Sequence, residues 1–145
     1  MAFPIPAPGL VIRYSFLWSD DAARGQEEGD KDRPCAVVVT TTNDAGDTVV
    51  YVLPITHTPP RNAAHAVEIP IATKRRLGLD DERSWIIISE LNRFIWPGPD
   101  LRMRVAGDPS SVAYGELPAK LMTDVLVRLE AAVAARRART TKRSQ

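Results

Sequence analysis

The fold of this chain is decided by residues 33–57, which have the sequence RPCAVVVTTTNDAGDTVVYVLPITH. Two runs rich in valine and threonine flank a segment of Asn, Asp and Gly, a pattern typical of an antiparallel β-hairpin. Pairing the two threonines that border the turn predicts Arg33 opposite His57 and Pro34 opposite Thr56, unless a bulge shifts the register. The open end of the hairpin therefore brings together a guanidinium, a hydroxyl and an imidazole. Such groups bind and process phosphate esters.

The composition is that of an ordinary globular domain with a hydrophobic core. The chain has 145 residues, of which 44% are hydrophobic and 26% are charged. No apolar run approaches the roughly 20 residues that a membrane-spanning helix needs, so we expect no membrane contact. The proline-rich start lacks the positive region of a secretory signal, and the single cysteine, Cys35, permits no internal disulfide. These features favour a cytoplasmic protein in which Cys35 is a small buried residue.

The chain divides into three predicted segments. They are an extended Pro-rich lead-in (1–8), one domain (9–130), and a basic helix end and tail (131–145). Besides the hairpin, β-forming runs predict strands over residues 10–16, 66–70, 84–90 and 101–105. The polar segment 18–31 is expected to be a surface loop, and residues 73–79 a helical turn that ends at a glycine.

Two further patterns complete the predicted architecture. The middle of segment 84–90 is continuously apolar, which places it centrally in the sheet with both faces covered. Apolar residues recur at helical spacing from Leu117 to Val133 and predict one amphipathic helix. The predicted fold class is therefore mainly β with a C-terminal helix (α+β).

The C-terminal segment carries a concentrated positive charge. Its basic residues are Arg136, Arg137, Arg139, Lys142 and Arg143, and it contains no acid. One interpretation is a solvated helix end, and the other is an electrostatic arm for a polyanion. A general RNA- or DNA-binding domain that uses this arm is one functional hypothesis.

Several motifs follow one another in a characteristic order. They are Gly9-Leu10-Val11, a Gly/Glu loop over 25–29, Arg33-Pro34, Pro54-Ile55-Thr56, Ala66 to Ile69, Leu77-Gly78-Leu79, and Ser84 to Glu90 followed by Arg93. Their order and spacing resemble the MazF/PemK family of toxin–antitoxin ribonucleases over roughly Gly9 to Glu130. The resemblance implies a small SH3-like barrel of the CcdB/MazF/PemK type with a C-terminal helix. It also implies a homodimer that is neutralised by a cognate antitoxin.

The resemblance implies a particular chemistry as well. Family members cut single-stranded RNA without a metal or other cofactor, leaving a 2′,3′-cyclic phosphate and a 5′-hydroxyl. By position, Arg33 and Thr56 match family active-site residues, and Glu90 falls where members carry an acid. We expect Arg33 to bind the phosphate, Thr56 to assist, and Glu90 or His57 to transfer protons. RNA contacts are expected from Lys31, Arg61, Arg93 and Trp96.

Each of these roles has a structural alternative. Arg33 could instead form a surface ion pair with Glu28, Asp30 or Asp32, and Glu90 could pair with Arg93 or Arg13. His57 could be an exposed turn residue, and the aromatic residues Trp18, Phe94 and Trp96 could fill the core rather than stack on bases. The basic residues Lys74, Arg75, Arg76 and Arg83 either flank an RNA path or form a solvated surface.

The chain also departs from the family pattern. Some members carry a catalytic arginine where this chain has Ile88, and a small polar residue often stands at the position of His57. The alternative function is therefore a non-catalytic member of the same fold, acting as a binding module or as a CcdB-like inhibitor of a protein target. The sequence predicts no metal site, because His57 and His65 lack a surrounding pattern of Cys or Asp ligands.

Overall fold

The structure is a computed structural model that describes residues 2–26, 29 and 31–143. The described residues form eight strands and three α-helices. The strands are β1 Leu10–Ser15, β2 Asp32–Thr42, β3 Thr48–Thr56, β4 Ala66–Glu68, β5 Trp85–Ile87, β6 Glu90–Ile95, β7 Ala113–Glu116 and β8 Arg139–Lys142. The helices are α1 Ser19–Ala23, α2 Ile71–Arg76 and α3 Ala119–Ala134. No helix within the described ranges has the length and apolar character needed to cross a membrane.

The strands form one curled, half-barrel sheet in the order β4-β5-β3-β2-β1-β7, and β6 pairs with both β3 and β8. Among the described strands every pairing is antiparallel except β6 with β8. The predicted architecture of a mostly antiparallel β-domain with one long C-terminal helix is thereby confirmed.

The β2–β3 hairpin has the predicted register at its turn, where Thr42 pairs with Thr48. Asn43 organises the turn, because its side-chain oxygen accepts hydrogen bonds from the backbone N–H groups of Ala45 (3.0 Å) and Asp47 (2.9 Å). An asparagine side chain that mimics a backbone turn in this way is a common reason for its presence between strands.

A bulge in the middle of β2 changes the register towards the open end of the hairpin. Cys35 pairs with Pro54, one residue earlier than predicted, because the bulge sets two residues of β2 against one of β3. Continuation of this register places Arg33 opposite Thr56. The predicted pairing of Arg33 with His57 is therefore wrong by one residue.

The central strands are buried on both faces. One face of the sheet packs against α3 through a cluster that includes Val11, Leu53, Ile86 and Val125. The opposite face carries a second cluster of Leu10, Ile12, Tyr14, Phe16, Cys35, Val37, Val50, Val52 and Phe94. The prediction for Cys35 is confirmed, since its side chain is fully buried and burial raises the pKa of its thiol.

Four local features differ from the predictions. The expected central strand over 84–90 is divided, because β5 pairs with β4 and the end of β3 whereas β6 pairs with the turn half of β3 and with β8. The strand expected over 101–105 is reduced to a single bridge between Leu101 and Tyr14. Strand β7 was not predicted, since it is short and glycine-containing and exists only through its pairing with β1. Helix α1 lies within the predicted loop.

The basic C-terminal segment contains the end of α3, up to Ala134, and then enters the sheet as β8. Strand β8 pairs with β6, and the Arg143 side chain that follows is only 3% exposed. Its guanidinium lies 3.0 Å from the Asp100 carboxylate and donates a 3.0 Å hydrogen bond to the Asn92 side chain. A second hydrogen bond reaches the backbone carbonyl of Ser15. Arg143 is therefore unavailable to a polyanion, whereas Arg136, Arg137, Arg139 and Lys142 are exposed, and the nucleic-acid-binding tail stays a prediction.

Replacing Arg143 should destabilise the protein more than replacing a neighbouring arginine does. Arg143→Met removes the guanidinium that faces the buried Asp100 carboxylate, so we expect the free energy of unfolding to fall by about 3–5 kcal/mol. Urea denaturation followed by circular dichroism measures the change. Arg137→Met is the control, since Arg137 is exposed and its loss should cost less than about 0.5 kcal/mol. Equal effects of the two variants would contradict a structural role for Arg143.

Candidate active site

The open end of the hairpin forms the wall of a cavity of about 210 Å³, here called the Arg33 cavity. Its lining includes Arg33 from β2, Thr56 from the end of β3, and His57 immediately after it. A second space of about 420 Å³, here called the Trp18 cleft, shares Lys31, Arg33 and Thr56 with the cavity. The structure therefore brings together four of the eight predicted site residues.

Among the described residues, an aromatic ring rather than an acid contacts the Arg33 guanidinium. Its guanidinium carbon lies 5.3 Å from the centre of the Trp18 ring. Its Nε is buried and has no hydrogen-bond partner among the described residues. Asp32, one of the acids expected as an alternative partner, instead contacts Arg13 at 3.8 Å and Arg102 at 3.4 Å. The other two, Glu28 and Asp30, lie outside the described residues. This arrangement suits a guanidinium that binds an external anion.

The Thr56 hydroxyl is oriented by the turn that follows β3. Its oxygen accepts a 3.2 Å hydrogen bond from the backbone N–H of Thr58. Because that contact uses the oxygen as an acceptor, the hydroxyl proton is available for donation to a ligand beside Arg33.

His57 is the first member of a chain of polar contacts that ends in the protein interior. Its Nε2 lies 2.7 Å from one carboxylate oxygen of Asp80. The other oxygen of Asp80 accepts a 2.6 Å hydrogen bond from Lys74, which also donates to the Ser84 hydroxyl at 2.7 Å and to the Glu82 carbonyl. Lys74 is only 1% exposed. It therefore belongs to neither an exposed RNA path nor a solvated surface.

Asp80 is the electrostatic centre of this chain. Partial burial would by itself raise the pKa of Asp80, but the hydrogen bond and the charge of Lys74 outweigh that effect and hold the pKa below its ordinary value. The short turn before it, in which Gly78 has a φ of +73°, returns the chain from α2 so that Asp80 reaches Lys74. An L side chain is strained at such a φ, which accounts for the glycine.

A small group of metal-ligand types also surrounds His57. One ligand atom each from His57, Asp80 and Glu82 lies within 4.8 Å of the others, and Glu82 is 3.5 Å from the Nδ1 of His57. These are ligand types that bind divalent cations. The Lys74 ammonium already neutralises Asp80, however, and would repel a cation placed there. The sequence did not predict this group, because only the tertiary structure brings residues 80–82 to His57.

Glu90 binds the start of α1 and is not part of the lining of the Arg33 cavity, and its role in proton transfer stays a prediction. Its two carboxylate oxygens accept hydrogen bonds from the N–H (2.9 Å) and the hydroxyl (2.7 Å) of Ser19, the first residue of α1. A carboxylate at a helix start is favourable because it satisfies a free N–H group. Neither expected alternative partner, Arg93 or Arg13, has a contact with it among the described residues.

The remaining predicted RNA contacts lie away from the Arg33 cavity. Arg93 pairs with Tyr51 of β3, and the N–H of Trp96 donates to the Thr48 carbonyl at the turn end of the hairpin. Measured along β3, these points are roughly 16 Å and 26 Å from Thr56 at about 3.3 Å per residue. Arg61 is exposed in the loop after β3. The roles of Arg61, Arg93 and Trp96 stay predictions.

Comparison with known proteins agrees with the fold. Residues 13–133 match the family described as "PemK-like, MazF-like toxin of type II toxin-antitoxin system". Since the match spans most of the chain, this protein belongs to that family, as its sequence motifs predicted.

Solved structures show the same architecture. One is described as an "Endoribonuclease in complex with its cognate antitoxin from Mycobacterial species". It superposes with a TM-score of 0.53 over 90% of this chain and 96% of its own, at 16% sequence identity. A likeness at this identity establishes the fold alone. The search of curated proteins found no match.

Removing the charge of Asp80 should destabilise the protein in a pH-dependent manner. Asp80→Asn leaves the buried Lys74 facing an amide. We expect the free energy of unfolding to fall by about 1–3 kcal/mol at pH 7, and the exposure of Asp80 reduces this fall. Because the pKa of Asp80 is lowered by folding, its contribution is present above the unfolded pKa and is lost as the pH falls through the folded one. The difference in the free energy of unfolding between Asp80→Asn and the wild type should therefore become smaller below about pH 4.

The measurement is thermal or urea unfolding at pH 7 and pH 3, with Asp81→Asn as the matched control. Asp81 is exposed and lies 3.8 Å from Arg75, so its change should have little effect at either pH. A gap for Asp80→Asn that stays constant with pH would contradict the charge interaction.

Proposed function

We propose that this chain is the toxin component of a type II toxin–antitoxin system and acts as a metal-independent endoribonuclease on single-stranded RNA. The products would be a 2′,3′-cyclic phosphate and a 5′-hydroxyl. Family membership supports the toxin assignment, and the solved relative described as an endoribonuclease has the same fold. The observation that carries the proposal is the joint placement of Arg33, Thr56 and His57 in one cavity.

Cleavage of RNA by its own 2′-hydroxyl requires three contributions from the protein. A proton must leave the 2′-oxygen, the charge that develops on the phosphate must be stabilised, and the departing 5′-oxygen must be protonated. The guanidinium of Arg33 is permanently charged and can bind two phosphate oxygens at once. Thr56, opposite Arg33 in the continued register, would donate its hydroxyl proton to the same phosphate.

His57 is the best-placed group for proton transfer. The Asp80 carboxylate 2.7 Å from Nε2 holds the ring in one orientation, as an acid does for a catalytic histidine. Nδ1 has only the longer 3.5 Å contact with Glu82, whose side chain is 73% exposed. Nδ1 is therefore the nitrogen that can exchange its partner for substrate. Glu90 is the weaker candidate, since Ser19 occupies both of its oxygens.

The proposed partners follow from the family. Single-stranded RNA would be the substrate, with Lys31 at the edge of the cavity as an added cation. A cognate antitoxin, a homodimeric state and action in the cytoplasm remain predictions, as do RNA contacts by Arg61, Arg93 and Trp96.

One observation favours the alternative of a non-catalytic member of the family. Ile88, at the position where some members carry a catalytic arginine, is fully buried in the core. A guanidinium is therefore absent from that position, and Arg33 would have to stabilise the phosphate charge without a second guanidinium there. Such a protein would bind RNA or a protein target without cutting RNA.

Substitution of Arg33 tests the proposed clamp. Purified wild-type protein, incubated with a long unstructured RNA in EDTA, should produce discrete fragments with 5′-hydroxyl ends. Arg33→Gln should reduce the rate by about 10²–10³-fold or more, because it removes the charge on the reacting phosphate, with little change in melting temperature. Arg75→Gln is the control, since it changes the net charge equally at an exposed position on α2.

The possible outcomes separate the candidate functions. Intact RNA with wild-type protein would favour the non-catalytic alternative. Cleavage that stops in EDTA and returns with a divalent cation would identify the His57–Asp80–Glu82 group as a metal centre and would contradict metal independence. Full activity of Arg33→Gln would show that the clamp is assigned wrongly.

Substitution of His57 tests proton transfer. His57→Gln should lower the cleavage rate by about 10²–10⁴-fold, because a neutral amide cannot exchange a proton near pH 7. The control is His65→Gln. This variant changes the other histidine, which lies outside the cavity, and should cleave RNA at the wild-type rate. If His57→Gln also retains wild-type activity, Glu90→Gln becomes the variant to measure next.

A further inference from the structure

The Trp18 cleft, which the proposed chemistry does not use, lies directly beside the Arg33 cavity. Its volume is about 420 Å³. Thr58 lines it away from the cavity, and so do four apolar residues, Trp18, Pro59, Pro60 and Ile87. These side chains present a flat aromatic ring, two proline rings and a branched aliphatic chain. Lys31, Arg33 and Thr56 line both spaces, so a cationic and hydroxyl-bearing boundary separates an apolar cleft from the cavity.

The aromatic wall of the cleft is held in place before any ligand arrives. The Trp18 ring packs edge-on against Phe16, with centroids 5.2 Å apart, and lies 5.3 Å from the Arg33 guanidinium carbon. The next residue, Ser19, is bound through its N–H and its hydroxyl by the Glu90 carboxylate. Glu90 is therefore a positioning residue for the chain at Trp18. A wall with restricted motion loses little conformational entropy on binding.

The proline-containing wall of the cleft is similarly restrained. Pro59 and Pro60 have fixed φ angles and no N–H groups, which makes this part of the loop stiff and apolar. The N–H of Thr58 donates to the hydroxyl oxygen of Thr56 and so connects the loop to the end of β3. The two walls are thus attached to the strands that carry Arg33 and Thr56.

We propose that the Trp18 cleft binds one unpaired nucleobase of the RNA, that of a nucleotide adjoining the phosphate bound by Arg33. The inference rests on the proposed function for the position of that phosphate. A nucleobase is flat and mainly apolar on its faces, and it stacks on aromatic side chains in single-strand-binding proteins. Its attached phosphate would meet Lys31 and Arg33 at the shared boundary. A paired base is covered on its faces and edge, so the cleft selects single strands.

The first experiment observes Trp18 directly. In the variant Trp85→Phe/Trp96→Phe, Trp18 is the single tryptophan, because the chain contains three. The probe is a fully 2′-O-methylated RNA oligonucleotide, which lacks the nucleophile and cannot be cut. Its addition should quench Trp18 fluorescence, whereas the same oligonucleotide in a duplex should not. Absence of quenching at concentrations where labelled oligonucleotide is bound, as shown by anisotropy, would overturn the proposal.

The second experiment uses cleavage kinetics with the otherwise unaltered protein. Trp18→Ala should raise KM by about 5–100-fold, the range that loss of one stacked base implies, with a smaller change in kcat. Trp18→Phe should recover most of the loss. Trp85→Phe is the control, and its KM should equal that of the wild type, since Trp85 lines neither the Arg33 cavity nor the Trp18 cleft.

A substrate lacking one base distinguishes base binding from mere support of Arg33. An abasic nucleotide on one side of the cleavage site should raise the KM of the wild-type protein as much as Trp18→Ala does with the intact substrate. The two changes combined should add little further loss, because both remove the same contact. Fully additive effects, or an unchanged KM for Trp18→Ala, would overturn the proposal and leave the cleft to a protein partner. Neither outcome contradicts the proposed function. The proposed function fails if wild-type protein leaves RNA intact, and in that case the quenching experiment still tests the cleft.

Discussion

Pairing of β2 with β3 is the constraint on which the rest of the structure depends. Both strands are buried on their two faces, so a slip by one residue would exchange the side chains of the two hydrophobic clusters. The register is therefore strongly specified, and the bulge between Val37 and Val39 is part of it. By this register Arg33 lies opposite Thr56, and the rigidity of the core is transmitted to both groups of the candidate site.

Buried cations play two distinct roles around this hairpin. Arg143 connects the last strand to Asp100 and Asn92, and so joins the chain end to the face of the sheet that carries Tyr14. Lys74 lies beneath the Arg33 cavity and holds Asp80, which in turn orients His57. Each would destabilise the protein if it were left without a counter-charge. The pairing of a buried cation therefore joins the last strand to the sheet at Arg143, and at Lys74 it orients the candidate catalytic residue His57.

The sequence-based predictions were accurate where local interactions define an element and failed where contacts between distant residues define it. The hairpin turn, the first strand and α3 were predicted closely, because they depend on local patterns of apolar and turn-forming residues. Strand β7 and the division between β5 and β6 were missed, since pairing with distant strands defines them. The partners of Glu90 and Arg143, which are Ser19 and Asp100, were missed for the same reason, since they are remote in sequence.

The sequence by itself determined the family, the β-hairpin, the amphipathic helix and the neighbourhood of Arg33 and Thr56, because short-range periodicity and motif order encode them. Only the tertiary structure decided that Asp80 and Lys74 support His57, and that Trp18 packs on Arg33 beside an apolar cleft. These contacts form where separate loops converge on one end of the sheet. Their geometry depends on a one-residue bulge and on buried charge pairs, which leave no periodic signal in the chain.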